Sequence, residues 1–576
     1  MKSRSSALRD FTVDNRTWFL SAVALVIGTG GAALAVLLLR AIALATNIFY
    51  YHRISVAMVG PAGSTEPAWA LLLVPIVGGL IVGVMAHYGS EKIRGHGIPE
   101  AIEAILLHGA RVDPKVAILK PVSAAIAIGS GGPFGAEGPI IMTGGAFGSL
   151  IAQWLKLSDA ERTTLLVAGA AAGMSATFAA PLAAILLAVE LLLFEWRPRS
   201  LVPVAVASVL AGALRIAWLG PGPLFPVDLS AGIHLRGTLL VAAPLGILVG
   251  FASAGLSRLM YGFEDAFEFF GERFHLHAVW WPAIGGIAIG IGGLCFPRAL
   301  GVGYDNIAEL LRGNAPLSLL VGLLVAKSLM WAFSLSSGTS GGVLAPLLMI
   351  GAAIGEFLAH MAHLSGETQA LWALMGMGAM LAGALGVPLT AAVFSLELSH
   401  ALPALLPLVL TCVASYFVTS LFMPRSILTE KLARRGYHLS REYGVDPLET
   451  VTVAEVMTEL SGDQKENVPA PNELPAASLP EVFAYSDETC RSVAEEMATT
   501  GVLAMPVFDR ATGKPVGAVG TAELLAGRRR AIKRESDRVI AFQVDSRQRR
   551  SAAPADAANS NHKNRDAVLE DRARES

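Results

Sequence analysis

The sequence is short of charge. Asp, Glu, Lys and Arg make up only 16% of its 576 residues, while 53% are hydrophobic. Soluble domains carry about a quarter charged residues, so an ordinary water-exposed surface is excluded for most of this chain. The formal net charge of −2 leaves no basic surplus for a nucleic-acid partner. Three cysteines, Cys295, Cys412 and Cys490, give neither a disulfide framework nor metal-ligand spacing. No catalytic triad, metal cluster or phosphate loop stands out, so the sequence carries no enzyme signature and calls for no cofactor.

What is there is apolar and long. Thr17–Leu39, Ala68–Ala86, Gly237–Leu256 and Ala401–Pro424 are uncharged or nearly so. Each approaches or exceeds the roughly 20 residues that cross a bilayer as a helix, whereas a membrane barrel would alternate over about ten. The first run lacks the small-residue cleavage site of a signal peptide and reads as a retained helix. Lys2, Arg4, Arg9 and Arg16 precede it and favour a cytoplasmic N-terminus. The expectation is an all-α polytopic membrane protein embedded in a lipid bilayer.

The membrane part repeats itself. GPIIMTGGAFGSLIAQ from Gly138 matches APLLMIGAAIGEFLAH from Ala345, and FAAPLAAILLAVELL from Phe178 matches LGVPLTAAVFSLELS from Leu385. Pro139 with Pro346, Gly144 with Gly351, Pro181 with Pro388 and Glu190 with Glu397 all share one offset of 207. Composition alone would not hold prolines and a glutamate in register without a gap. Internal repeats with Gly- and Pro-broken segments at matching places mark the binding region of secondary transporters. The two interruptions are GSGGPFGAEGP (Gly129–Pro139) and SSGTSGGVLAP (Ser336–Pro346).

Both segments read as a loop feeding a helix N-terminus near its proline, and GHGIPEAIEAIL (Gly95–Leu106) has the same form. Free N–H groups and the positive end of the helix dipole suit an anion. Irregular backbone at membrane depth survives only inside protein or along a cavity. None of the three loops holds Lys or Arg after Arg94, which fits the weak binding that conduction needs. Glu137 is the one ionisable group in its loop. A carboxylate there occupies the anion's position and leaves it when protonated or displaced; the plainer alternative is a carboxylate that caps its own helix.

These residues closely resemble the CLC chloride channel and transporter family. GHGIPE is similar to its GSGIP motif, GAEGP to its G(K/R)EGP and GGVLAP to its GxFxP, in the same order, and the resemblance covers about Arg16 to Gly436. It implies a CLC-type fold of two inverted-topology repeats of tilted and broken helices over residues 17–436. It also implies a homodimer with one anion pathway per subunit, in a bacterial inner membrane with both termini cytoplasmic. By the same resemblance Glu137 gates chloride or a similar monovalent anion and carries protons in exchangers. The implied anion sites are the amides of Val343 and Leu344 at the centre, with Ala136, Glu137, Gly138, Val343, Leu344 and Ala345 outside. His96, Gly97 and Ile98 stand at the first motif.

Three departures matter. The family's anion-coordinating serine falls at His96, whose imidazole either donates to the anion and makes transport pH-sensitive or turns away and leaves the backbone to act. The inner-gate tyrosine falls at Leu428, which donates no hydrogen bond. The second of two adjacent glutamates, which passes protons inward, falls at Leu191. Glu190 matches the first of them, and its repeat partner Glu397 favours a structural role over a place on the proton route. Glu195 lies five residues on, about 140° around a helix.

Past Arg434 the chain becomes charged. Residues 437–526 resemble a single cytoplasmic CBS-like α/β domain, through VAEVMTE and DETCRSVAEEMATTGVLAMPVFDRATGKPVGAVGTAELL. Val493, Met497 and Val502 would form its apolar stripe. The resemblance allows adenine-nucleotide binding, against which Glu523 stands in place of the ribose-binding aspartate; a dimer-stabilising or regulatory role is favoured. Residues 1–16 would be a cytoplasmic segment and 527–576 a disordered tail. Proton-coupled anion exchange is the leading expectation and a passive channel the alternative. A membrane-anchored sensor working through the CBS-like part ranks lower.

Overall fold

The computed structural model describes residues 15–229, 235–436, 446–449, 451–460 and 482–530. The expectations for residues 1–14 and for the tail beyond 530 lie outside the described residues. The chain divides into two compact units, one within Asp10–Arg441 and one that includes Glu442–Ser576.

The first unit is helical. Among the described residues nine helices are long and apolar enough to span a membrane: Asn15–Tyr51, Ala68–Tyr88, Pro198–Leu219, Leu235–Arg273, Ala278–Cys295, Leu317–Ser336, Leu344–Met361, Glu367–Leu385 and Leu402–Phe422. Each of the four sequence runs falls wholly or mostly within one of them. Trp18, Leu37, Leu240, Phe417 and Leu421 stand exposed, as side chains facing lipid must.

The repeat is visible as a pair of matching helix hairpins. Glu137–Trp154 packs on Asp159–Phe178, and Leu344–Met361 packs on Glu367–Leu385. Glycines let the backbones meet. A Cβ on Gly144 would collide with the Gly169 carbonyl, and one on Gly351 with the Gly376 carbonyl. Gly376 is 207 residues after Gly169, so the small-residue seam was copied with the rest. Such seams are the usual way for helices to pack where lipid removes the hydrophobic drive.

At the centre the two interruptions touch. Gly135 donates to the Gly342 carbonyl (3.2 Å) and Gly342 donates to the Gly135 carbonyl (2.7 Å). These residues are also 207 apart. A contact in which i meets j and j meets i is the mark of a two-fold relation, and the strands run antiparallel there. Pro181 and Pro388 each open a short helix, Pro181–Leu187 and Pro388–Ser399, at the first position where a missing N–H costs nothing. The first of these runs on as a π-helical turn, Ala188–Leu193.

The second unit is a small mixed α/β body. Its strands are β1 (Thr458–Glu459), β2 (Ala484–Tyr485), β3 (Ala504–Phe508) and β4 (Pro515–Gly520), in the order β1-β4-β3-β2. β3 and β4 form an antiparallel pair and β2 joins β3 in parallel. The helix Cys490–Thr500 is capped by Thr489, whose hydroxyl accepts from the Ser492 amide, and ends at Gly501 with φ 75°. Val493 and Met497 are buried against Val453, Met505, Val507 and Val519, and Val502 packs partly on them. The Asp509 carboxylate accepts from the amides of Thr512 (3.1 Å) and Ala511 (2.7 Å), which holds it below the usual carboxylate range. A closing helix covers 521–530 and takes in four residues that the sequence reading gave to the tail.

The glycine seam gives a direct test. Gly376→Ala places a methyl against Gly351 and Gly355, whereas Gly255 faces open space. We expect Gly376→Ala to cost about 1–3 kcal/mol through overpacking and Gly255→Ala to be neutral or slightly stabilising. Thermal unfolding midpoints in detergent should separate the two variants by several degrees.

Candidate anion site

The helix starts differ slightly from the sequence expectation. The helices begin at Glu137 and Leu344, not at Pro139 and Pro346, with Ala136 and Val343 as caps. Each proline is thus the third helical residue, still within the first turn where no intrahelical N–H is needed. The third helix begins at Ile98, after Gly97 with φ 89°, and Pro99 is its second residue.

Glycines let these starts converge. A Cβ on Gly138 would strike the His96 carbonyl, and one on Gly97 would lie 2.8 Å from the Gly138 carbonyl. The loop before Gly97 is stitched to the second half by Gly95 donating to Thr339 (2.9 Å) and Gly341 donating to Gly95 (3.4 Å). Residues 96–98, 136–138 and 343–345 are therefore neighbours, and all are buried.

Glu137 lies folded over this junction. Its side chain is fully buried, and Oε1 accepts from the Ala345 amide at 3.1 Å across the two halves. Its own amide also donates to the carboxylate. Oε2 rests against Gly135 and Gly342, where any Cβ would collide with it, and has no hydrogen-bond partner. The carboxylate thus takes amides at the starts of both helices, donors of the kind that suit an anion. The imidazole of His96 is buried as well, with Nδ1 unpartnered.

Two groups escaped the sequence reading. Lys120 Nζ donates to Ile93 (2.8 Å) and Gly95 (2.7 Å) carbonyls, and Lys327 Nζ donates to Ala299 (3.0 Å) and Gly301 (2.6 Å) carbonyls. Both side chains are fully buried. They are 207 residues apart, so the repeat extends further back than its motifs, and that offset was the signal available. The absence of Lys and Arg from the loops did not mean their absence from the region. These amines brace the loops through carbonyls and leave the amides free.

Glu190 and Glu397 hold each other's helices. Glu190 Oε2 accepts from the Thr390 amide (2.9 Å) and hydroxyl (2.6 Å), while Glu397 accepts from the amides of Leu182 (3.0 Å) and Ala183 (2.8 Å). Each carboxylate caps the N-terminus that its counterpart's segment begins. Leu191 beside it is fully buried. Glu195 accepts from Ser200 (2.8 Å) and pairs with Arg197 (3.4 Å) and Arg199 (3.6 Å).

Leu428 is fully buried just before the helix Thr429–Arg434. The neighbouring Ile427 carbonyl accepts from the Tyr261 hydroxyl, and Ile427 donates to Ala384 at 3.1 Å. Lys431 pairs with Glu100 at 2.8 Å, and Arg435 pairs with Glu103. Both carboxylates belong to the helix Ile98–Leu107.

Residues 78–420 match the family model described as voltage gated chloride channel. The chain belongs to that family. It is an integral membrane protein. It is 32% identical over 371 residues to chloride channel protein CLC-f of Arabidopsis thaliana, a match that spans 59% of this chain and 45% of that protein. It is 32% identical over 359 residues to the H(+)/Cl(-) exchange transporter ClcA of Citrobacter koseri, covering 73% of it. The chain therefore spans less than half of one relative and about three quarters of the other. Among solved structures, a slow cyanobacterial Cl-/H+ antiporter superposes with a TM-score of 0.63 at 24% identity, over 74% of this chain and 99% of that one. A CLC-type fluoride/proton antiporter gives 0.61 at 20% identity, over 72% and 98%. At these identities the superpositions establish the fold.

Replacing Lys327 by Met takes the amine from the buried Ala299 and Gly301 carbonyls, whereas Lys120→Met takes it from Ile93 and leaves Gly95 with the long bond from the Gly341 amide. A lost partner costs about 1–3 kcal/mol per buried group, so either variant should unfold at a clearly lower temperature in detergent. The larger loss is expected in Lys327→Met, because in Lys120→Met the Gly95 carbonyl keeps the Gly341 amide.

Proposed function

We propose that this protein moves chloride or a similar monovalent anion across a bilayer, with Glu137 as the gate, in exchange for protons. The observation that carries this reading is the hydrogen bond from the Ala345 amide to the Glu137 carboxylate. A carboxylate on amides at two helix N-termini mimics a bound anion. Protonation weakens that hold, and an incoming anion competes for the same donors. The group that blocks the path is then also the group that takes up a proton, so the two movements are linked at one atom pair. Intramembrane ionisable residues are functional by default, and the family match supports the same conclusion.

In this reading the amides around Ala136–Gly138 and Val343–Ala345 hold the outer anion, and those of Val343 and Leu344 the central one. His96, with Gly97 and Ile98, borders the inner approach, where its unpartnered Nδ1 is available to an anion. The named activities of ClcA and of the cyanobacterial antiporter agree with exchange. A passive channel is the second reading, favoured by one specific observation: Leu191 is apolar and buried, and Glu190 is already engaged by Thr390. We further propose a homodimer with cytoplasmic termini, and a CBS-like role for the small unit in regulation or dimer stability. Glu523 accepts from the Gly520 amide (3.0 Å) and the Thr458 hydroxyl (3.2 Å), which counts against its serving a nucleotide.

Purified protein in liposomes with opposed chloride and pH gradients provides the test. Exchange predicts uphill proton movement driven by chloride, and Glu137→Gln should abolish it while anion movement persists. A reversal potential that follows chloride alone would establish the channel reading. Proton movement undiminished by Glu137→Gln would remove the gate from the mechanism.

A further inference from the structure

The gate is held on one side only. Glu137 Oε1 has the Ala345 amide, whereas Oε2 is enclosed and has no partner. A second enclosed oxygen without a partner belongs to Tyr304. The residue as a whole is partly exposed, while its hydroxyl is enclosed. Tyr304 opens the short helix Tyr304–Leu310, after the loop that Lys327 braces through Ala299 and Gly301. The preceding Gly303 abuts Met349, which lies in the second turn of the helix whose amide holds Glu137. Met349 lies one turn beyond Ala345, so the start of the Tyr304 helix and the amide that holds Glu137 meet on the same helix.

The surroundings of that hydroxyl are aromatic. Tyr304 meets Phe178 edge-on with centroids 6.4 Å apart and Phe225 at 5.8 Å, and Phe178 meets Phe394 at 5.2 Å. The three phenylalanine side chains offer no donor. A carboxylate that swings off its amides into such a collar would lie bare in an apolar environment, which is strongly unfavourable. In the first half the loop braced by Lys120 leads to Ile98 at the equivalent helix start. The repeat architecture therefore does not require a hydroxyl here.

We propose that Tyr304 is a positioning residue for the gate: its hydroxyl donates to the Glu137 carboxylate once that carboxylate has left the Ala345 amide. The proposal rests on the anion-transport reading above. Tyr304 stabilises the open gate and touches neither the closed gate nor the amides, so it sets how often the path is free.

The test is a double-mutant cycle on anion flux in liposomes, using the full chain. Tyr304→Phe keeps the ring and its packing, and should slow anion flux by about tenfold, as expected for one hydrogen bond to a charged group. In the Glu137→Ala background the same change should alter flux by less than about twofold, because a residue acting through Glu137 has nothing left to act on. Equal slowing in both backgrounds would show that Tyr304 only packs, and would overturn the proposal. Unchanged flux in Tyr304→Phe alone would also overturn it. Absence of flux in the unmodified protein would instead sink the transport reading, and this inference with it.

Discussion

The constraint on which everything else depends is that backbone broken at membrane depth must find partners within the protein. Lipid offers none, and each unmet group costs several kcal/mol. The two interrupted segments meet it by pairing with one another, Gly135 with Gly342 in both directions. That pairing uses equivalent residues, so one geometry satisfies two loops at once. Lys120 and Lys327 extend the solution outward by taking carbonyls, and Glu190 and Glu397 by taking amides of the helices that follow. The helix starts around Ala136–Gly138 and Val343–Ala345 meet at one small buried region, where the amides of Glu137 and Ala345 go to the Glu137 carboxylate.

That distribution explains why the site tolerates a carboxylate in the path. The braces consume acceptors with amines and donors with carboxylates, and the surplus is amide N–H. A surplus of partial positive charge favours an anion without fixing it as tightly as a free ammonium would. Glu137 satisfies part of that surplus through the Ala345 amide and its own amide, which in the proposed function is the closed state. Its exit must be matched by an anion arriving or a proton binding. In the proposed function, gating and binding are therefore one electrostatic balance at a single position.

Much of this could be read from the residues. Long uncharged runs located the spanning helices, and the offset shared by Pro139, Pro346, Glu190 and Glu397 revealed the two halves. What escaped was long-range and polar. Lys120 and Lys327 sit in otherwise apolar helices, and nothing in local sequence says which carbonyls they reach; only the 207-residue spacing linked them. The mutual capping by Glu190 and Glu397 was half legible, since the repeat suggested structure, but the crossing of partners depends on three-dimensional packing. Two of the three helices begin two residues before the proline that marks them and the third begins one before it, because proline is accepted anywhere in the first turn and bounds the start without fixing it.

Two of the departures put leucine where the family resemblance implies a polar group. At Leu428 the structure makes up the loss nearby: the Tyr261 hydroxyl binds the Ile427 carbonyl, and Lys431 and Arg435 tie the same short segment to Glu100 and Glu103. The inner segment is thereby fastened to the helix that begins at Ile98, beside His96. At Leu191 there is no such replacement, because Glu190 is turned to Thr390 and Glu195 to Ser200 and two arginines. In the exchange reading a proton from that side would reach Glu137 along water or past His96, whose Nδ1 is buried without a partner. The two leucines thus differ: around Leu428 neighbouring polar groups fasten the segment, whereas in the exchange reading Leu191 would leave coupling to Glu137 and to solvent.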